Sequence, residues 1–179
     1  MLLDAWRLAL GTLTAIPVAP PALVDRRRAG MAMALAPLAA APLAAAVTVV
    51  ALAGHALDLP VTVTALLALG AAVLGNRAFP LDGLSDTVDG MAASYDRERS
   101  LAVMKSGTSG PAGVVAVVLV LGLQVSGLAA SLASPHPVRA AVLAGCALCV
   151  SRAALATCCA RGVPSARPGG LGDTYTGTV

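Results

Sequence analysis

Residues 114 to 133 read VVAVVLVLGLQVSGLAASLA, 20 residues from Val114 to Ala133 without a charged side chain. At about 1.5 Å per residue, a helix of this length covers the roughly 30 Å hydrocarbon core of a bilayer. Backbone groups in lipid must be satisfied internally, so a run of this kind crosses as a helix. The rest of the chain agrees: 58% of its 179 residues are hydrophobic, only 12% are charged, and mean hydropathy is +0.84. Soluble domains carry about 25% charged residues. The expected fold class is therefore all-α: a polytopic integral membrane helical bundle of about four spans plus short interfacial and loop helices.

Working outward, Ser134-Pro135-His136-Pro137 makes a tight turn into a further apolar run, Val138 to Ala160. Upstream, Met31 to Ala53 is 23 residues without a charge, and Pro37 and Pro42 should kink it. Val61 to Leu74 has only 14 residues, so it spans only if extended into Asn76–Phe79 or if the bilayer thins. Leu8 to Ile16 reads as an interfacial helix with Trp6 at headgroup depth. Asp4 and Arg7 precede it with no small-residue cleavage site, so no cleavable signal peptide is expected. Abundant Ala, Gly and Val suit close helix–helix approach. One membrane-embedded domain over residues 1–179 is expected.

Basic residues set the orientation. Arg7, Arg26, Arg27 and Arg28 flank the first span. Arg77, Arg97, Arg99 and Lys105 lie in the centre, and Arg161 and Arg167 in the tail. The two opposite turns hold neither Lys nor Arg. Both termini and the polar centre should face the cytoplasm, across a cell (inner) membrane. The formal charge of +3 is too small and too dispersed for a nucleic-acid partner.

Residues 76 to 113 form the polar centre, with short helices expected over Gly83–Ala93 and Arg97–Lys105. Only nine acidic residues exist in the chain, and Asp82, Asp86 and Asp89 fall within eight positions of one another. Their i, i+4, i+7 spacing puts them on one helical stripe, where like charges repel. A divalent cation such as Mg, its oxygen shell completed by substrate phosphates, resolves that repulsion. A solvated loop helix with incidental acids is the bland alternative. Gly83 and Gly90 flank the carboxylates, as expected where the backbone must approach a phosphate ligand or another helix.

Lys105 precedes Ser106-Gly107-Thr108-Ser109-Gly110-Pro111-Ala112-Gly113, a candidate phosphate-side loop whose N–H groups would face an anion. The stretch lacks Walker spacing and reads equally as a link into the next span. Arg152 interrupts the last span, and an intramembrane arginine is a functional candidate by default. A pairing with a helix carbonyl is its structural alternative. Cys146, Cys149, Cys158 and Cys159 read as small buried hydrophobes without a disulfide framework. His55 and His136 fall in the turns opposite the carboxylates.

The decapeptide Leu81-Asp82-Gly83-Leu84-Ser85-Asp86-Thr87-Val88-Asp89-Gly90 resembles the signature of the cobalamin synthase (adenosylcobinamide-GDP ribazoletransferase) family. Leu13-Thr14-Ala15-Ile16-Pro17-Val18, Met104-Lys105 with Gly110-Pro111-Ala112-Gly113, Ser151-Arg152 and Ala166-Arg167-Pro168-Gly169-Gly170-Leu171-Gly172 resemble further family stretches, in order along the chain. The resemblance implies a membrane transferase that joins α-ribazole or its 5′-phosphate to adenosylcobinamide-GDP and releases GMP, using Mg, at the end of nucleotide-loop assembly. It implies that Asp82, Asp86 and Asp89 are catalytic and bind the metal on the pyrophosphate. Lys105, Arg152 and Arg167 become phosphate contacts, with Gly83 and Gly90 beside the substrate. The expected partners are these two substrates and the bilayer, with a homo-oligomer left open.

Departures from the family pattern include Pro80 in place of a usual His, Ala15 for a frequent Arg, Ala39-Ala40 where a Gly is common, and an uncharged Thr108. The chain also stops at Val179 where relatives usually continue, so a shortened member is expected. A non-catalytic membrane scaffold or degenerate relative is the alternative from another class. A CDP-alcohol phosphotransferase fails on spacing, since Asp82-Gly83 is followed by Ser85-Asp86-Thr87. An ion-coupled transporter would want its carboxylates at mid-bilayer.

Overall fold

The computed structural model describes residues 1–179, apart from the side chain of Leu171, and these residues form helices joined by turns, with no strand among them. In chain order the helices are α1 (Leu2–Leu13), α2 (Arg26–Ala34), α3 (Ala36–Ala39), α4 (Ala41–Ala56), α5 (Val61–Gly75), α6 (Phe79–Ala93), α7 (Arg97–Lys105), α8 (Pro111–Leu132), α9 (Pro137–Ser151), α10 (Ala153–Cys158) and α11 (Leu171–Tyr175). Proline sits in the first turn of α3, α4, α6, α8 and α9. There its missing N–H would be unpaired in any case.

Two stretches are long and apolar enough to cross a membrane: α8 at 22 residues, and Pro137–Cys158, in which α9 runs on into α10. Their Val and Leu side chains, among them Val118, Leu119, Leu123, Val142 and Leu143, point outward. A helix that is apolar on its exposed face belongs in lipid. The other two expected spans are realised differently. Met31 to Ala53 is cut at Leu35 and Ala40 into α2, α3 and α4, because Pro37 and Pro42 remove the donors that would continue one helix. That leaves α4 as a shorter apolar helix of 16 residues. The fourth stretch does not extend through Asn76. α5 stops at Gly75, and α6 leaves it at 86°.

The bend is a two-residue device. Arg77 and Ala78 both have left-handed backbones, φ 58° and 56°, a conformation rare for side-chain-bearing residues. Ala78 N–H closes back onto Val73 O at 2.8 Å, and Ala78 O receives the first N–H groups of α6 from Leu81 and Asp82. The N-terminal segment braces this elbow. Ala15 N–H donates to Gly75 O at 2.6 Å, and the Arg77 guanidinium donates to Gly11 O. Thr14 is fully buried beside it, its hydroxyl on Leu10 O at 2.7 Å.

The core is built from small residues. One cluster joins α1, α2 and α3 through Ala5, Ala9, Ala32 and Ala39, with Cys159. The other joins α4, α5 and α9 through Val47, Ala51, Ala68, Ala72 and Ala141. A Cβ on Gly54 would meet Thr64 of α5, and one on Gly145 would lie 2.8 Å from Ala44 O of α4. Close backbone approach thus replaces large side chains as the source of packing attraction. The polar tail folds back onto this body: Thr178 and Val179 N–H both reach Cys159 O, and Arg26 holds Asp173 O and Thr176 O at 2.6 and 2.8 Å. The cysteines are free thiols. Cys159 is buried as expected, whereas Cys146 and Cys158 are exposed on the outer faces of their helices.

Candidate active site

α6 carries the aspartate stripe, and it starts four residues earlier than its sequence suggests, at Phe79. All three carboxylates are therefore on one helix, but they divide into two environments. Asp82 is exposed and Asp86 half-buried. Neither makes a side-chain hydrogen bond or ion pair among the described residues. Asp89 is buried, 7% exposed, and both its oxygens are engaged. Gly110 N–H donates to one at 2.7 Å and Gly113 N–H to the other at 2.8 Å.

Gly110 is the N-cap of α8, so Asp89 caps a neighbouring helix across the tertiary contact. The carboxylate sits where the helix dipole and unpaired N–H groups favour an anion. The glycine-rich loop does face an anion, as its composition suggests, but that anion is Asp89. The close fit explains the glycines. A Cβ on Gly110 would lie 2.5 Å from Asp89 Oδ1, and one on Gly113 would collide with Asp89 and Ser85. Among the described residues, no three His, Cys, Asp or Glu side chains gather closely enough to hold a metal ion. The stripe does not form one three-carboxylate cluster.

Gly90 packs against α7, where a Cβ would lie 2.9 Å from Ser100 O and overlap Met104. It serves the helix contact. Gly83 faces open space, with nothing within 4 Å of its would-be Cβ. Lys105 ends α7 exposed, and Arg167 is exposed in the tail. The tail is drawn toward α7 by Arg97, whose guanidinium donates to Ala166 O.

Two cavities meet at the first turn of α6. One, about 410 Å³, is lined by Arg77, Asp82, Ser85 and Ser109 with valines of α8. The other, about 530 Å³, lies between α5, α8 and α9 and holds Asn76, Gln124, Ser151 and Arg152 among apolar walls. Leu81 lines both. Arg152 stands at the break between α9 and α10, and its guanidinium makes no hydrogen bond or ion pair among the described residues. Neither an aspartate nor a helix carbonyl partners it. Asn76 is buried, and its Oδ1 has no partner. Sequence reasoning treated Asn76 only as a helix extension and passed over Gln124. A polar side chain inside or ending an apolar run was the signal for both. His55 and His136 lie together at the far end, lining a separate cavity.

These features define a class: an all-helical membrane protein whose carboxylates sit on a helix at a sharp elbow, with Asp82 lining a cavity there. A family model described as Cobalamin-5-phosphate synthase matches residues 5–179. An adenosylcobinamide-GDP ribazoletransferase of Nocardioides sp. is 56% identical over 176 residues, covering 98% of this chain and 74% of the relative. Proteins of the same description from Frankia casuarinae and Pseudomonas paraeruginosa are 37% and 38% identical, with 66% and 67% of their lengths covered. The chain thus spans two thirds to three quarters of the length of these relatives. No solved structure matches it. The chain belongs to the cobalamin-5-phosphate synthase family.

Proposed function

We propose that this chain is an Mg-dependent adenosylcobinamide-GDP ribazoletransferase, joining α-ribazole or its 5′-phosphate to adenosylcobinamide-GDP with release of GMP. The observation that carries the reading is the unengaged pair Asp82 and Asp86, one helical turn apart, with Asp82 lining a cavity that also holds Arg77. Two carboxylates offering hard oxygen donors suit Mg, which typically takes one or two protein carboxylates and completes its shell with water and substrate phosphates. Asp82 and Asp86 would hold it. Bound there, the ion supplies charge neutralisation on the pyrophosphate.

The remaining chemistry falls to the chain. A ribazole hydroxyl attacks the phosphorus attached to cobinamide, and the bond from that phosphorus to the bridging oxygen breaks. GMP leaves with that oxygen, and the hydroxyl proton passes to one of the α6 carboxylates. Asp89 holds the α8 N-terminus against α6 and so sets the distance between the carboxylates and the α8 side of the cavity. Lys105 and Arg167 are exposed cations on the side of α6 and α7, suited to the phosphates of a large soluble substrate.

Charge distribution supports a cytoplasmic site in a cell membrane, with basic residues concentrated on the α6–α7 side. The test is GMP release by the purified chain in detergent, given Mg, adenosylcobinamide-GDP and α-ribazole. Turnover lost with Asp82→Asn or Asp86→Asn, in protein that keeps its thermal stability, is the expected result. A parent chain that releases no GMP would favour a non-catalytic scaffold.

A further inference from the structure

The cavity between α5, α8 and α9 has features that helix packing alone does not account for. α5 and α9 each have 15 residues and start at the same end of the bundle, since Val61 and Pro137 line one cavity there. Each therefore rises about 22 Å, and their C-caps, Asn76 and Arg152, arrive at a common level. Both side chains line the 530 Å³ cavity. A buried amide oxygen without a partner is a net cost to the fold. A charged guanidinium in a span is likewise costly unless a partner offsets it. Gln124 adds a third polar group to the same wall, in a helix whose other lining residues here are Leu and Gly.

Small-molecule sites have this constitution: about 300–1,000 Å³, mostly apolar, with a few convergent polar groups that fix orientation. The walls from Leu69, Leu128 and Leu148 suit a flat, apolar ring system. The amides of Asn76 and Gln124 suit hydroxyls, and Arg152 suits a phosphate, whose charge-assisted bonds would offset its desolvation. Leu81 lines both this space and the cavity that holds Asp82. A nucleoside seated here lies next to the cavity that Asp82 lines.

We propose that this cavity is the acceptor site, taking the dimethylbenzimidazole of ribazole 5′-phosphate between its leucines, its ribose at Asn76 and Gln124, and its 5′-phosphate on Arg152. The proposal rests on the ribazoletransferase reading and adds to it the acceptor's location.

The test measures equilibrium binding of α-ribazole and of its 5′-phosphate to the full chain in nanodiscs, and the KM for each substrate in GMP release. Leu128→Trp, which fills the cavity, should weaken binding of both acceptors about tenfold or more. Arg152→Gln should weaken the 5′-phosphate by about tenfold, the size of a lost charge-assisted bond, and leave unphosphorylated ribazole within about twofold. The KM for adenosylcobinamide-GDP should stay put in both variants. Acceptor binding unchanged in Leu128→Trp, or an equal effect of Arg152→Gln on both acceptors, overturns the proposal even where the parent turns over. So does a parent that binds neither acceptor, or binding abolished by added anionic phospholipid, which would mark the cavity as a lipid site. A parent that binds ribazole 5′-phosphate as described but releases no GMP leaves the site standing and removes the transferase reading instead.

Discussion

The Asp89 carboxylate accepts the backbone N–H of Gly113 at 2.8 Å, joining the aspartate helix to the first turn of the longest membrane helix. Its second oxygen takes Gly110 N–H at 2.7 Å. One side chain of the stripe thus spans a helix–helix contact, while its neighbours one and two turns back make no such bond. A sequence pattern of three equivalent acids resolves into a buried strut and an open pair.

Asp89→Ala should therefore act first on stability. It leaves two N–H groups at the start of α8 without their carboxylate acceptor, at a cost of about 1–3 kcal/mol. Asp89→Asn keeps one acceptor but turns its NH₂ toward the other N–H, so it should recover only part of the loss. Thermal unfolding in detergent checks both. An Asp89→Ala protein that melts with the parent yet releases no GMP would return Asp89 to the metal site.

Asp82→Asn and Asp86→Asn should behave in the opposite way. Without Mg, each removes a like-charge i, i+4 repulsion worth about 0.2–0.5 kcal/mol, so the variants should be marginally more stable than the parent. With Mg, the parent should gain stability by mass action and the variants should not. GMP release should fall by roughly two to three orders of magnitude, as for other losses of charge stabilisation in a transition state. A Mg-induced shift that survives in both variants places the ion elsewhere.

How far the chain could be read in advance depended on the range of the interaction. α7 runs from Arg97 to Lys105 as expected, because its start signal is local: Asp96 accepts the N–H of Arg99 at 2.8 Å. The breaks at Pro37 and Pro42 were legible for the same reason, since proline acts on its own helix. The elbow was not. Arg77 and Ala78 adopt left-handed φ without the glycine or asparagine that usually announces it, and the bracing bonds come from Gly11 and Ala15, more than sixty residues away in sequence. The division of the aspartates was hidden likewise, because periodicity places side chains on a face but does not say what that face meets. The Leu13-to-Val18 stretch, conspicuous only by resemblance, turns out to hold the elbow in place.

The elbow gives a further prediction. A left-handed backbone costs a side-chain-bearing residue about 1–2 kcal/mol, a penalty glycine does not carry. Ala78 has no side-chain contact beyond its Cβ to lose, and glycine is acceptable as an N-cap. Ala78→Gly should stabilise the protein by about 1 kcal/mol, less the chain entropy that glycine adds to the unfolded state. A drop in melting temperature would mean that the 86° bend is not the conformation of the folded protein in solution.

The N-terminal charge cluster predicts the acid limit of stability. Arg28 pairs with Asp4 at 3.2 Å and also with Asp25, whose carboxylate caps α2 by accepting the Arg28 N–H at 2.7 Å. The N–H of Arg28 holds the Asp25 carboxyl below its ordinary value of 3.8, and the N–H of Ala22 does the same for Asp4, with the Arg28 guanidinium assisting in both. A carboxylate whose pKa is lower folded than unfolded stabilises the fold above the unfolded value, and that stabilisation disappears as the pH falls through the folded one. The melting temperature should accordingly be insensitive to this cluster down to about pH 4 and decline below it. Arg28→Gln removes the guanidinium common to both pairs while keeping the backbone donor. It should lower the melting temperature at pH 6 and flatten the decline between pH 4 and pH 2, because less folded-state preference for the ionised acids remains to be lost. Parallel curves for variant and parent across that interval would show that other carboxylates govern the acid transition.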